Sequence, residues 1–334
     1  MLRSSEPGSG RDVRTVTASA VSGIPVSGTS GGSGMAIGDW QWDETLFAGA
    51  AAYYRRGRLP YAPGLAQALG RALDLDGRGR LLDVGCGPGT LALDLAQLFA
   101  EVVGVDPDPG MLVEAERAAA DTGLGERATW IRARAEDLPG DLGVFDVVTF
   151  GQSFHWMDQE RVAATVLGLL RPGGAFVHVA DLKTEDQKTA DQKTADPKTE
   201  TRDAEGLPHP PVPYAAVDDL VRHHLGPVRR AGQGTLPHGT PGGEAEVLAR
   251  AGFGGPERLV VAGGQTLERS DDDVVAWVFS LSSSAPHLFG ESRDAFEADL
   301  RALLTRASPS GRFSERQPGT EVRVWRKEPA LPGP

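Results

Sequence analysis

The run Leu81-Leu82-Asp83-Val84-Gly85-Cys86-Gly87-Pro88-Gly89-Thr90 begins apolar and breaks at glycines on alternate positions. It then continues as Leu91-Ala92-Leu93-Asp94-Leu95-Ala96 with helical spacing. A short apolar run, a glycine turn and a helical pattern predict a buried strand, a tight turn and a helix start. The glycines let the backbone take positive φ and let a ligand come where a Cβ would block it. The helix N-terminus just beyond adds free N–H groups suited to a polar ligand end. Seventeen residues after Gly89 stands Asp106, closing a second apolar run, Val102-Val103-Gly104-Val105. In doubly wound sheets an acid at the end of the second strand takes up ribose hydroxyls. The two stretches together read as a nucleoside-cofactor site.

The turn narrows the choice of nucleoside. In the dinucleotide fingerprint G-x-G-x-x-G the last glycine stands five positions after the first. Here it stands four positions on, and Asp83 lies two residues before the first glycine. A carboxylate beside the turn suits a cationic group better than a pyrophosphate. S-adenosylmethionine has a ribose, no phosphate, a sulfonium and an ammonium. The stretch resembles motif I, D-x-G-x-G-x-G, of the class I S-adenosylmethionine-dependent methyltransferases. That resemblance implies a Rossmann-like, doubly wound α/β sheet of seven mostly parallel strands, with an antiparallel last strand and helices on both faces. It implies that Gly85, Cys86, Gly87 and Gly89 shape the cofactor turn and that Asp83 holds the methionine ammonium, through water. Asp106 with Pro107 would serve the ribose, and Met111 and Ala135 would flank adenine.

Downstream, Pro107 and Pro109 open a helix through about Asp121, and Ala128 to Arg132 reads as a third strand. The following Arg134-Ala135-Glu136-Asp137 resembles the family's adenine-binding turn, with Arg134 where many members carry an Asp. Glu136 is then either the nearest acceptor for the adenine edge or a solvated turn carboxylate. Val144 to Phe150 is a nearly continuous apolar run and so a central strand. At its end lies Gly151-Gln152-Ser153-Phe154-His155-Trp156-Met157-Asp158, resembling motif IV of a bacterial small-molecule subgroup with a Phe-His-Trp signature, trans-aconitate-methyltransferase-like proteins among them. Open α/β sheets bind ligands beyond the carboxyl ends of their strands, so Gly151 and Gln152 are expected at the cofactor and Phe154 and Trp156 at the substrate. His155, with a near-neutral reference pKa, is a candidate general base; it is equally a candidate pocket-wall or capping residue. A helix over Arg161 to Leu170, a stop at Arg171-Pro172-Gly173-Gly174 and a fifth strand over Ala175 to Val179 continue the pattern.

Upstream, residues 1–38 are rich in Ser, Gly and Thr and lack apolar periodicity, so they read as a disordered tail without a signal-peptide core. Met35 is a second candidate start. Order is expected from Trp40. Residues 39–79 read as a helical lid or cap, in which aromatic residues, Tyr54 and Tyr61 among them, mix with Arg55, Arg56 and Arg58. Arg58-Leu59-Pro60-Tyr61-Ala62-Pro63 loosely matches the family's Y-x-R-P-x-Y-P segment, which makes Tyr54, Arg58 and Tyr61 candidate substrate contacts. The bland alternative is an amphipathic helix packed on the main domain. Residues 80–182 form the expected cofactor core.

Residues 183–206 hold four copies of a five-residue unit, KTEDQ, KTADQ, KTADP and KTETR, which fits neither helix nor strand period and reads as a disordered insertion. Residues 207–328 are expected to supply the remaining strands and substrate-side helices, with helices over Val217 to Leu225, Glu244 to Arg250 and Asp271 to Leu281. Strands are expected over Arg258 to Ala262 and, as a closing edge strand, over Glu321 to Arg326. Adjacent His223 and His224 point to different sides of a helix, against a shared metal, and no metal is expected. Gly226 to Gly243, with His238, and the loop Ser282 to Phe289 are candidate substrate-mouth segments. Residues 329–334 read as a tail.

The 334 residues carry 34 basic and 46 acidic side chains, a net charge of −12, against broad contact with nucleic acid. A single cysteine excludes an internal disulfide and fits a cytoplasmic protein, and no apolar stretch approaches a membrane span. The expectation is a monomeric or homodimeric enzyme that methylates a small-molecule acceptor, at a carboxylate or hydroxyl oxygen. The rivals are a non-catalytic S-adenosylmethionine-binding protein and, disfavoured by the glycine spacing, an NAD-dependent oxidoreductase.

Overall fold

The computed structural model describes residues 43–182, 206–235 and 242–329. The tail over 1–38, Trp40, the repeat over 183–202, His238 and residues 330–334 lie outside the described residues.

Helices α1 (Ala51–Gly57) and α2 (Leu65–Leu73) precede β1 (Arg80–Val84), α3 (Thr90–Leu95), β2 (Glu101–Asp106), α4 (Pro109–Asp121) and β3 (Ala128–Arg132). Then come β4 (Phe145–Gly151), α5 (Gln159–Leu169), β5 (Leu170–Asp181), α6 (Tyr214–Leu225) and the hairpin strands β6 (Arg230–Ala231) and β7 (Gly234–Thr235). The chain goes on through α7 (Glu244–Ala251), β8 (Phe253–Val261), β9 (Thr266–Ser270), α8 (Asp271–Phe279), α9 (Arg293–Ala307), β10 (Arg312–Arg316) and β11 (Thr320–Lys327).

Seven strands form one sheet in the order β3-β2-β1-β4-β5-β11-β8. The five from β3 to β5 run parallel, and β11 runs antiparallel to both neighbours, β5 and β8. This is a Rossmann-like α/β fold. Parallel strands buried on both faces read as unbroken apolar runs, and the two cores show why. Leu82, Val84, Val148, Phe150 and Phe176 turn to one face and pack with α5 and α7. Their chain neighbours Leu81, Val147 and Val177 turn to the other, against α2 and α3.

Several expectations are corrected. The strand over Glu321 to Arg326 does not close an edge: β11 lies inside the sheet, and β8 takes the edge, beginning at Phe253 rather than Arg258. Arg171-Pro172-Gly173-Gly174 does not precede the fifth strand. It falls within β5, where the register against β4 shifts between Phe145 and Val147.

A helical lobe has a core of its own, which joins Val217, Val275, Phe279, Phe296, Leu300 and Phe313. Helix α8 begins at a capping box, with Ser270 and Asp273 satisfying each other's backbone N–H groups and three acids in the first turn. Arg56 donates to Asp273 from Nε at 2.7 Å, fastening α1 to that helix start.

A cleft between the motif turn and a strap

Strand β1 ends in the glycine turn. Gly85 has φ +66°, and a Cβ there would come within 2.6 Å of the Ser153 Cβ. Only glycine lets the turns after β1 and β4 approach so closely. Ser153 fastens them by donating its hydroxyl to the Val84 carbonyl at 2.6 Å. Gly87 (φ +53°) lines the cleft above the turn, and a Cβ there would meet nothing within 4 Å. The space over that backbone is left for a ligand.

Asp106, 8% exposed, shapes one wall of the cleft. Its Oδ2 accepts from the Gly87 N–H at 2.8 Å and its Oδ1 from the Asp108 N–H at 2.9 Å. Each carboxylate oxygen keeps a second acceptor site. Burial outweighs these two hydrogen bonds and pushes the carboxyl up to about 6. Asp108 in turn caps α4, accepting from Gly110 and Met111.

Asp83 is placed differently. It is buried beside the cleft rather than in its wall, with Oδ1 accepting from the Thr149 hydroxyl at 2.7 Å and Oδ2 without a partner. Burial pushes this carboxyl up to about 7. Cys86 is also outside the wall, and burial holds its thiol well above the ordinary range, which makes it inert as a nucleophile. Gly89 is the N-cap of α3, where a Cβ would come within 2.6 Å of the Trp130 ring.

Pro107, Met111, Ala135 and Glu136 line the far end of the cleft, together with Arg132 and Arg134. The Glu136 carboxylate already accepts from the Asp158 N–H at 2.9 Å and faces Arg134 Nε at 3.3 Å. It therefore ties the turn after β3 to the loop after β4.

At the end of β4, Gly151, Gln152, Ser153, Trp156 and Met157 line the cleft. Gln152 is one of two non-glycine residues with positive φ (55°) among the described residues. Strain of this kind persists where the surroundings over-determine it, often at functional sites. Phe154 is not brought to the cleft: it is fully buried, its ring centroid 5.0 Å from that of Phe150 and 5.1 Å from that of Phe176. The His155 ring lies 4.8 Å from the Trp156 ring and is not part of the wall.

Tyr54 lines the cleft, whereas Tyr61 and Arg58 stand behind it. A Cβ on Gly151 would come within 2.8 Å of the Tyr61 hydroxyl oxygen. Arg58 lies over the Tyr54 ring at 4.9 Å and donates to the Ser280 carbonyl at 3.0 Å.

Residues 44–49 form a strap whose Glu44, Leu46, Phe47, Ala48 and Gly49 line the cleft. Asp43 anchors the strap by accepting from the Thr45 N–H and from the Gln233 N–H in the β6–β7 turn, both at 2.8 Å. Leu46 packs on Ala231, and the Phe47 ring sits edge-on to Tyr54 and Trp156 at 6.2 and 6.3 Å. His287 Nδ1 donates to the Ala48 carbonyl at 3.1 Å, the carbonyl fixing the ring's donor role. The enclosed volume is about 380 Å³, within the range of small-molecule sites.

The sequence profile of a family described as "Methyltransferase domain" matches residues 81–174, from β1 into β5. An uncharacterized methyltransferase of Mycobacterium bovis is 38% identical over 128 residues, which cover 38% of this chain and 49% of that protein. A demethylmenaquinone methyltransferase of Thermus thermophilus is 41% identical over 101 residues, covering 29% and 45% of the two chains. The chain thus spans about half the length of the curated relatives it matches. Among solved structures, the YcgJ protein of Bacillus subtilis superposes with a TM-score of 0.42 at 16% identity, covering 79% of this chain and 98% of that one.

Proposed function

We propose that the protein transfers a methyl group from S-adenosylmethionine to a hydroxyl or carboxylate oxygen of a small molecule. The observation that carries the reading is the D-x-G-x-G-x-G turn opening onto a cleft walled by Asp106, inside the stretch that matches a methyltransferase domain. The site fits that cofactor in two further ways. The space over Gly87 admits a ligand, and the buried, unpartnered Asp83 Oδ2 is a polar atom in want of a donor.

When bound, S-adenosylmethionine supplies a carbon made electrophilic by its sulfonium. In this reading the residues of the chain bind, orient and exclude water. Asp106 accepts from ribose hydroxyls with the lone pairs its backbone contacts leave open. Pro107, Met111 and Ala135 hold the adenine, and Asp83 takes the ammonium through water. Gly151 and Gln152 bound the methionine end, Tyr54 and Trp156 face the acceptor, and His155 supports Trp156 from behind. The strap keeps water out. The acidic balance of the chain supports a small acceptor over a nucleic acid. Among the described residues no helix is long and apolar enough to cross a membrane.

Isothermal titration tests the reading. S-adenosylhomocysteine should bind and NAD should not; the reverse order would overturn it. Incubating the protein with methyl-labelled cofactor and a metabolite extract should then label a small acceptor, and its absence across extracts would leave a binder rather than an enzyme.

A further inference from the structure

We propose that the rings of Phe47, Tyr54 and Trp156, with the Glu44 carboxylate of the same strap, hold a cationic group. The methyl acceptor then carries an alkylammonium head besides the oxygen that receives the methyl. This rests on the S-adenosylmethionine reading above and names the class of its acceptor.

All four groups line the cleft, and the course of the strap places them. At Asp43 it is tied to the β6–β7 turn. Beyond Gly49 it reaches the start of α4, where a Cβ on Gly110 would come within 3.3 Å of the Ala51 Cβ. That is the end of Asp106, Pro107 and Met111, which the reading gives to ribose and adenine. Glu44, Leu46 and Phe47 belong to the other end, where Leu46 packs on Ala231 of β6 and Phe47 meets Trp156 after β4.

The three rings are half-buried, so part of each stays open to a ligand in the cleft. Phe47 stands at 73° to Tyr54 and at 90° to Trp156. Parallel faces would make a slot for a flat ring, whereas perpendicular faces make a corner for a compact, rounded group. Trimethylammonium has that shape, and its positive charge is drawn to ring faces. Glu44 adds a negative charge. Asp106, Asp108 and Glu136, the other acids of the wall, accept from backbone N–H groups. Glu44 makes no hydrogen bond or ion pair among the described residues. It is exposed, so its share is small beside that of the rings.

The basic side chains of the wall, Arg132 and Arg134, stand at the adenine end. There Arg132 donates to the Pro107 carbonyl at 3.2 Å and Arg134 faces Glu136. Arg58 and Arg230 lie outside the wall, Arg58 over the Tyr54 ring, which leaves Phe47 and Trp156 as the principal cation contacts. At the strap end an anionic head would meet ring faces and a carboxylate, both repulsive. A cation is attracted by both. The net charge of −12 further draws small cations to the chain.

Choline and its uncharged isostere, with a tert-butyl group in place of the trimethylammonium, test this before the acceptor is known. Both are titrated into the full chain saturated with S-adenosylhomocysteine at constant ionic strength. Choline should bind about tenfold tighter than the isostere. Tert-butylacetate, of similar shape but anionic, should bind more weakly than either. Phe47→Leu keeps an apolar wall but removes a ring face, and should cut the preference for choline to about threefold. Glu44→Gln should lower choline affinity by about two- to fivefold without lowering that of the isostere or the melting temperature. Equal affinity for choline and the isostere overturns the proposal, as does a failure of choline to bind or a preference that neither variant alters. Should Phe47→Leu weaken S-adenosylmethionine but not S-adenosylhomocysteine, with choline unaffected, the rings hold the cofactor's own sulfonium and the proposal falls. Protein that binds no S-adenosylhomocysteine overturns the S-adenosylmethionine reading itself, and the proposal with it.

Discussion

Asp106 and Asp83 are two acids in one small region with different tasks. Asp106 spends one lone pair of each oxygen on the Gly87 and Asp108 N–H groups, so it shapes the turn before any ligand arrives. Asp106→Ala should weaken S-adenosylhomocysteine binding by about 10²-fold, because hydrogen bonds to a charged acceptor are worth about 1.5–3 kcal/mol each. Unchanged affinity in a calorimetric titration would mean that Asp106 is not the ribose acid. The same burial leaves a signature in stability. The carboxyls of Asp83 and Asp106 are raised to about 7 and about 6. Between the ordinary carboxylate value near 4 and those raised values, the folded chain holds more protons than the unfolded one, so these groups lower stability as pH rises through that window. Asp83→Asn removes a buried charge and keeps an oxygen for Thr149. Denaturant unfolding should show the variant gaining on wild type as pH rises from 5 to 8; a pH-independent difference would deny that folding raises the Asp83 carboxyl above its ordinary value.

The elements differ in how much of them the sequence reveals. Strands β1, β2 and β4 announce themselves because both faces are buried, and the glycine turn because its φ values and close contacts exclude other residues. The place of β11 was misjudged for a physical reason. Alternation of Val322 and Val324 with Glu321 and Arg323 tells which faces are wet, not which strands lie alongside. The anchors of the strap, Gln233, Ala231 and His287, are illegible in the sequence because they come from the far half of the chain and follow no periodic pattern. Phe154 was misplaced because a 3₁₀ turn over Phe154–Trp156 sends neighbouring side chains in different directions. If the strap guards the cleft, Asp43→Ala should free it by removing its acceptor for the Gln233 N–H. Stopped-flow measurements should then show faster S-adenosylhomocysteine release with little change in melting temperature. Unaltered release would mean that the strap covers the cleft without gating it.

At the scale of the whole molecule, the lobe is tied to α1 through Arg269, which is 5% exposed. Its guanidinium donates to Glu315 Oε2 at 2.8 Å, to the Gly57 carbonyl at 2.8 Å and to the Asp273 carbonyl at 2.9 Å. Glu315 also accepts from the Tyr214 hydroxyl. One side chain thus joins the end of α1, the start of α8, β10 and, through Glu315, α6. Buried pairs add little net stability compared with apolar packing, but removing one partner strands the other and costs about 3–5 kcal/mol. Arg269→Ala should therefore lower the melting temperature by about 10 °C in a domain of this size. The effect should reach the cleft, because α1 carries Tyr54 and leads back to the strap. At a temperature where the variant is still folded, S-adenosylhomocysteine affinity should fall by about 3–10-fold, far less than for Asp106→Ala, since no ligand contact is removed and only the ordering of α1 is lost. A large drop in melting temperature with unchanged affinity would show that the lobe stabilises the chain without bearing on the cleft. An unchanged melting temperature would show that Arg269 does not hold the lobe to α1.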